Sequence, residues 1–221
     1  CITHRRDAIY PATVVGVPPQ EDAYIAEATE KIFLAPIRLA VQPEVRDLWM
    51  PIEGTAHNLA VVSIDKRYEG QSHKVAQSLW GAGQMMFNKY MVVASAEHNI
   101  REFATLGRLL RRADVRRDVI RAEGILDVLD HATATCGFGG KLAIDLTDVD
   151  INSPTEPIVA PRTAEPCGGV ALFDTRFVEE YGLLLLFAEE NRPVEVDVKA
   201  YLEHNNIVGM KYIALFDYQA A

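Results

Sequence analysis

Apolar positions along the chain alternate between the spacing of helices and the spacing of strands. Near the start, Tyr24, Ala28 and Ile32 recur every four residues, directly after a pair of acidic residues. Acidic residues are favoured in the first turn of a helix, and four-residue spacing places side chains on one helical face. The pattern predicts a helix over residues 21–35 that is ended or kinked by Pro36.

Two short apolar runs rich in β-branched residues, at 59–64 and 91–94, are typical of buried central strands. Helical spacing follows each run and predicts helices at residues 73–88 and 100–112. Strands and helices therefore alternate, which predicts mostly parallel strands joined by right-handed crossovers. Further short strands are expected at residues 118–120 and 142–144.

The last third of the chain has a different pattern. Residues 147–169 carry four prolines and little periodicity, which predicts a long surface connector. Beyond it, apolar runs at 183–187 and 212–216 predict two strands packed side by side around a helix at 197–206. Asp197 is the expected cap of that helix.

These elements predict the fold class: an α/β layered domain with a mixed, mostly parallel sheet flanked by helices, plus a C-terminal β-α-β extension. The domain is expected over residues 1–149, and the connector and extension over residues 150–221. With 221 residues, 49% of them apolar and 24% charged, the chain can bury an ordinary core without disulfides or metals.

The formal net charge of -9 excludes a general attraction to nucleic acid or anionic membranes. One basic cluster opposes this sign, and it is either a solvated helix face and loop or an anion site. It consists of Arg108, Arg111, Arg112, Arg116 and Arg117.

The three cysteines form no CxxC pair, which suits free thiols in a reducing compartment and predicts a cytoplasmic protein. The longest strongly apolar run, 183–188, is far shorter than the roughly 20 residues that span a bilayer, so membrane insertion is not expected.

Histidines give no sign of a metal site, because no pair has HxxxH or HExxH spacing. They are His4, His57, His73, His98, His131 and His204. Residues 137–141, Gly-Phe-Gly-Gly-Lys, form either a phosphate-cradling loop or a glycine-rich turn entering the next strand, with a positive φ in both cases. Asp130 precedes His131, but neighbours on a strand point to opposite faces, so a direct acid/base dyad is not implied.

Six segments, in their order along the chain, resemble the UbiD decarboxylase family. They are residues 3–22, 51–54, 59–66, 81–89, 129–132 and 140–145. The resemblance covers about residues 2–147 and implies the C-terminal α/β domain of an enzyme whose other regions are an N-terminal α/β region and a flavin domain.

The resemblance also implies a function. The family's enzymes are carboxy-lyases that catalyse reversible, non-oxidative decarboxylation of aromatic or α,β-unsaturated acids, commonly in ubiquinone or menaquinone biosynthesis. Their cofactor is prenylated FMN with a divalent metal, Mn or Mg, and K. The catalytic arginine and two acids lie upstream in the flavin domain and are not in this sequence; Glu21 and Asp22 do not match them. The fragment is therefore expected to be inactive alone and to bind no cofactor.

Within this domain the resemblance implies a pocket wall over substrate and cofactor. The candidates are Ile125, Leu126, Leu129, Asp130 and His131. The alternative is that Leu126 and Leu129 belong to the core. Lys89 and Lys141 are expected to be cofactor-side or structural lysines. Departures from the family pattern at residues 95–99 and 111–115 leave the substrate open.

The partners implied are the chain's own N-terminal flavin domain, further copies of the subunit and, in the full-length enzyme, an aromatic acid. Residues 150–221 exceed the shorter family members and are expected to mediate oligomer contacts. The composition, periodicity and motifs, taken without the family resemblance, are also compatible with a non-enzymatic α/β module for assembly or small-ligand binding.

Overall fold

The computed structural model describes residues 20–55, 58–130, 133–159, 167–176, 183–188, 196–210 and 212–217. These residues form two compact units. The first unit is the described part of Cys1–His98 and Ile120–Thr147, and the second is the described part of Asn99–Val119 and Asp148–Ala221. The division of the chain into residues 1–149 and 150–221 stays a prediction.

A five-stranded sheet organises the first unit, in the order β1-β2-β3-β5-β4. Its strands are β1 Val45–Trp49, β2 Leu59–Ile64, β3 Tyr90–Ser95, β4 Val119–Ile125 and β5 Phe138–Leu146. Strands β2, β3 and β5 pair in parallel, and β1 pairs with β2 antiparallel. The predicted α/β class with a mixed, mostly parallel sheet flanked by helices is confirmed.

Burial on both faces makes β2 and β3 the centre of this sheet. Ala60, Val62 and Ile64 point to one core together with Met91 and Val93, and all five are almost fully buried. The alternate residues of β2 are buried on the other face. Strands enclosed on both sides read as continuous apolar runs, which is why these two could be predicted from the sequence.

Helix α1, Gln20–Pro36, confirms the predicted helix, and the apolar residues whose spacing indicated it are not the ones that face the core. Ala26 and Phe33 pack against the core, whereas Tyr24 and Ile32 are exposed. Four-residue spacing establishes that residues share a face, and it does not say which face is buried. The helical path also continues past Pro36 as a π-helix over Ile37–Val41.

Helix α2, Gln71–Trp80, is shorter than the helix predicted over residues 73–88. The helix ends at its C-cap, Gly81. Two residues later the chain turns away from the helical path, because Gly83 adopts a φ of 52°, a left-handed conformation that glycine adopts without steric cost. The remaining predicted residues form a short 3-10 helix, Gly83–Phe87.

Two strands of the first unit extend beyond their predicted bounds, and one was not predicted. The expected strands at 118–120 and 142–144 are the beginning of β4 and the middle of β5. Strand β1 was missed, because only two of its five residues are fully buried and its apolar signal is weak.

The second unit contains helix α3, Phe103–Leu110, within the predicted 100–112. It also contains a three-stranded sheet in the order β6-β7-β8 and a short helix α4. Their bounds are β6 Val170–Asp174, β7 Leu183–Ala188, β8 Tyr212–Asp217 and α4 Val198–His204.

The predicted β-α-β unit of the tail is confirmed, since β7 and β8 pair in parallel and the chain between them forms α4. Leu184, Leu186 and Tyr201 are buried together in a core of their own. The side chain of Asp197 accepts a hydrogen bond from the backbone N–H of Ala200 at 2.9 Å, so the predicted cap is also confirmed. Strand β6, antiparallel to β7, was not predicted.

A buried carboxylate, Glu44, joins the chain before β1 to helix α2. It accepts hydrogen bonds from Gln71 Nε2 at 3.1 Å and Lys74 Nζ at 3.0 Å. Burial pushes the pKa of Glu44 upward, but its own backbone N–H, Gln71 and Lys74 together bring the pKa below its usual 4.5.

We expect Glu44→Gln to lower the free energy of unfolding by about 1–2 kcal/mol at neutral pH, because bonds to a charged acceptor are lost. A carboxylate with a lowered pKa stabilises the fold above pH 4.5 and loses that contribution as pH falls through the folded pKa. Urea unfolding from pH 7 to pH 3 should therefore show the difference from wild type shrinking. Glu69→Gln, at an exposed ion pair with Lys66, is the control and should change little. An unchanged difference at low pH would contradict the assignment.

Candidate functional site

The glycine-rich segment at 137–141 is a turn at its first residue only, and residues 138–141 begin strand β5, so neither a tight turn nor a phosphate-cradling loop extends over the five residues. Gly137 has a φ of 72°, which confirms the predicted positive φ, and β5 begins at the next residue. A Cβ on Gly139 would lie 2.7 Å from Thr133 Cγ2 and 3.1 Å from Leu126 Cδ1. Gly139 therefore lets the loop before β5 lie directly against the strand.

Lys141 is a buried lysine in the middle of the first unit. Its residue is 4% exposed, and its Nζ donates to the backbone carbonyl oxygens of Met86, at 2.7 Å, and Asn88. The ammonium also lies 5.7 Å from the centre of the Trp80 ring. Burial lowers the pKa of Lys141 to about 8. Lys141 thus ties β5 to the segment that precedes β3.

Lys89 lies at the other end of that segment and is held by Asp130. The two side chains form an ion pair with 2.6 Å between Nζ and Oδ2, and they are 15% and 6% exposed. The backbone of Asp130 belongs to a tight turn, in which its N–H donates to the carbonyl oxygen of Asp127 at 3.0 Å. The Lys89 ammonium also lies 5.9 Å from the centre of the Tyr90 ring.

The predicted pocket-wall residues divide into buried and exposed ones. Leu126 is almost completely buried, whereas Leu129 is 77% exposed and Ile125 is about half exposed. The core interpretation therefore holds for Leu126 and not for Leu129. Val128 in the same loop and Phe138, the first residue of β5, are further exposed apolar side chains. His131 lies outside the described residues.

A surface groove of about 590 Å³ lies beside the Lys89 end of β3 and contains a mixture of charged and apolar groups. Its lining residues are Lys89, Tyr90, Arg121, Ala122, Glu123, Gly140, Lys141 and Leu142. Sequence reasoning missed Arg121 and Glu123. The alternation of exposed and less exposed positions along β4 could have indicated them, had the full length of that strand been recognised.

The basic cluster in the second unit has structural partners at two positions. Arg112 donates to the carbonyl oxygens of Ser153, at 2.7 Å, and Arg108, at 2.8 Å. Arg117 pairs with Asp118. For Arg112 and Arg117, these contacts favour the interpretation of a helix face and loop over that of an anion site.

In the part of the chain that the structure describes, no group of three or more His, Cys, Asp or Glu side chains could hold a metal ion. In the same residues, no helix has the length and apolar character needed to cross a membrane.

Comparison with known proteins identifies the family. A family model described as the 3-octaprenyl-4-hydroxybenzoate carboxy-lyase C-terminal domain, UbiD_C, matches residues 23–146, more than half of the chain. The chain belongs to the UbiD family. The match includes β1 to β5, both lysines and the exposed loop at 125–130, so the site described above lies within the UbiD C-terminal domain.

Two relatives of this UbiD domain are uncharacterized proteins. One, from Archaeoglobus fulgidus, is 45% identical over 148 residues, which cover 66% of this chain and 31% of the relative. The other, from Aquifex aeolicus, is 47% identical over 150 residues, 66% of this chain and 30% of the relative. The chain thus spans about a third of the length of the curated relatives it matches.

A solved decarboxylase structure shares the fold. Vanillic acid decarboxylase of Sedimentibacter hydroxybenzoicus, in an open form with a truncated VdcD subunit, is 23% identical and covers 76% of this chain and 35% of that chain, with a TM-score of 0.56. The UbiD-class enzyme HmfF of Pelotomaculum thermopropionicum in complex with FMN is 27% identical and covers 61% and 30%, with a TM-score of 0.49.

We expect the buried ammonium of Lys141 to make stability depend on pH. Its pKa is about 8 in the fold against 10.5 ordinarily, so between these values the unfolded chain binds more protons and stability rises with pH. Relative to Lys141→Met, the wild-type unfolding free energy should rise by about 2 kcal/mol from pH 8 to pH 10. Denaturant unfolding of both proteins across this range measures it, and parallel curves would contradict the prediction.

Proposed function

We propose that this chain is the C-terminal domain of a UbiD-type carboxy-lyase that catalyses reversible, non-oxidative decarboxylation of an aromatic or unsaturated acid. The observation that carries the proposal is an exposed apolar loop at residues 125–130, next to an anchored lysine, within a domain of this family. On this proposal the domain covers the reacting groups, and residues outside the chain carry out the chemistry.

The loop would serve as the wall of the substrate pocket. An aromatic acid presents flat apolar faces, and exposed apolar side chains gain free energy by covering such faces. Ile125, Val128 and Leu129 are the exposed apolar side chains of the loop, with Phe138 nearby in sequence at the start of β5. Leu126, which is buried and lies so close to Gly139 that a Cβ there would be 3.1 Å from its Cδ1, would anchor the loop to the domain.

The two lysines would have different roles. Both hydrogen bonds of the Lys141 ammonium go to carbonyl oxygens of its own domain, and the residue is buried, which supports a structural role. Lys89 lines the groove and is oriented by Asp130, which supports a cofactor-side role. An ammonium held by one carboxylate keeps donors available for an anionic group.

Prenylated FMN, with Mn or Mg and K, would be held mainly by the flavin domain and would supply the electron sink for decarboxylation. This chain's residues fit a position at the edge of that site, because they offer an apolar wall and a lysine. Their contribution would be to exclude water and to orient the acid, which are positioning effects. We place the enzyme in the cytoplasm, in quinone biosynthesis, as a homo-oligomer whose tail takes part in subunit contacts.

The chain alone should bind prenylated FMN weakly or not at all and show no turnover, because the arginine and acids that orient the carboxylate and return a proton lie outside it. Purified chain incubated with cofactor, metal and an aromatic acid tests this expectation. Release of CO2 above a cofactor-only control would overturn the assignment of catalysis to residues outside the chain.

In the enzyme that joins this domain to its flavin domain, Leu129→Ala should raise KM for an aromatic acid about tenfold, since truncating a pocket contact costs on the order of 1–3 kcal/mol. Val208→Ala, an exposed apolar position in the second unit, is the matched control and should leave KM unchanged. Steady-state kinetics of both variants measure KM. Equal KM values for Leu129→Ala and wild type would show that Leu129 is not part of the pocket wall. Binding of the acid without turnover would favour a ligand-binding module.

A further inference from the structure

The floor of the surface groove in the first unit is open at its middle. Gly140 of β5 lines the groove and is exposed, and a Cβ at this position would meet no described atom within 4 Å beyond its chain neighbours. Tyr90 of β3 pairs in register with Leu142 of β5, so these two side chains point to the same face of the sheet. Tyr90 is 47% exposed. The floor therefore offers an apolar, partly aromatic surface with open space above it.

Two opposite charges of β4 border this floor. Arg121 and Glu123 both line the groove, and they point to the same face because they lie two residues apart on a strand. Both residues are exposed. Over the residues that the structure describes, neither side chain forms a hydrogen bond or an ion pair, with the other or with any further group. One guanidinium and one carboxylate on the same strand thus remain available to a ligand.

The other charged groups of the groove are already engaged within the domain. The Lys89 ammonium pairs with the Asp130 carboxylate at 2.6 Å, and the Lys141 ammonium donates to two backbone carbonyl oxygens. The charges left for a ligand, those of Arg121 and Glu123, are equal and opposite. A ligand with only a carboxylate would leave Glu123 without a counter-charge, and a ligand with only an ammonium would leave Arg121 without one. A small zwitterion satisfies both groups.

We propose that this groove binds a small aromatic zwitterion, a ring that carries one carboxylate and one ammonium group on a short linker, as in the aromatic α-amino acids. The guanidinium of Arg121 donates to the carboxylate, and Glu123 accepts from the ammonium. The ring lies over Gly140 and against Tyr90. The groove volume of about 590 Å³ is within the range of roughly 300–1,000 Å³ usual for small-molecule sites. This binding activity goes beyond the carboxy-lyase function and does not depend on it.

Isothermal titration calorimetry of the full 221-residue chain tests the ligand class with three probes. L-phenylalanine carries both charges, phenylpropionate lacks the ammonium and phenylethylamine lacks the carboxylate. L-phenylalanine should bind about tenfold more tightly than either of the others, because each of them loses one charge-assisted contact. Absence of L-phenylalanine binding at millimolar concentrations overturns the proposal. Phenylpropionate binding as tightly as L-phenylalanine also overturns it, and would instead assign the groove to the aromatic acid of the proposed carboxy-lyase.

Substitutions in the same chain test the residues. Arg121→Gln and Glu123→Gln should each raise the Kd for L-phenylalanine about tenfold, and Glu123→Gln should not weaken phenylpropionate, which has no ammonium. Arg67→Gln, which removes an exposed positive charge of the first unit outside the groove, is the matched control and should leave the Kd unchanged.

Gly140→Val tests the floor of the groove. Valine fills the open space there, and strands favour β-branched residues, so the variant should fold and lose L-phenylalanine binding. A folded Gly140→Val that binds like wild type overturns the proposal, and so does equal weakening by Arg67→Gln and Arg121→Gln. If Gly140→Val does not fold, the charge variants decide alone.

Discussion

The hydrogen bonds of one buried ammonium group set the geometry of the first unit. A lysine inside a protein must satisfy its donors, and Lys141 does so with the carbonyl oxygens of Met86 and Asn88. Met86 belongs to the short 3-10 helix between α2 and β3, and Asn88 follows that helix, so Lys141 fixes this segment to β5. Backbone hydrogen bonds from Lys89 to Asn58 and from Leu142 to Lys89 complete the alignment at the start of β3.

The position of the candidate site follows from this arrangement. Lys89 can reach Asp130 because its backbone is fixed between β2 and β5, and Asp130 in turn holds the loop that carries Leu129. The two lysines therefore have different roles. Lys141 fixes the backbone of the segment before β3, and Lys89, at the end of that segment, places its ammonium at the groove. The lowered pKa of Lys141 accompanies this rigidity, because an enclosed cation is desolvated.

The sequence predicted elements whose signal is local and missed those that depend on tertiary neighbours. Strands β2 and β3 were predictable because they are buried on both faces, and Asp197 was predictable as a cap because capping is a local interaction. The spacing did not indicate the buried side of α1, because its inner face uses Ala26 and Phe33 while Tyr24 and Ile32 face outward. The contrast between Leu126 and Leu129 could not be predicted, because it depends on how the loop meets Gly139. The family resemblance pointed to this loop, and the spacing of its residues alone would not have done so.

The hydroxyl of Tyr212 donates to the backbone carbonyl of Leu110, 102 residues earlier in the chain, at 3.0 Å. That carbonyl belongs to the last residue of α3 and also accepts from the backbone N–H of Ala113 at 3.2 Å, so Tyr212 is a second donor to it. Burial raises the pKa of Tyr212 to about 12, so the phenol keeps its proton for this bond throughout the physiological range. In evolutionary terms, β8 and α3 are not independent of each other. A lineage that lost β8 would also lose one of the donors to the Leu110 carbonyl, so substitutions in these two distant stretches of sequence should be correlated.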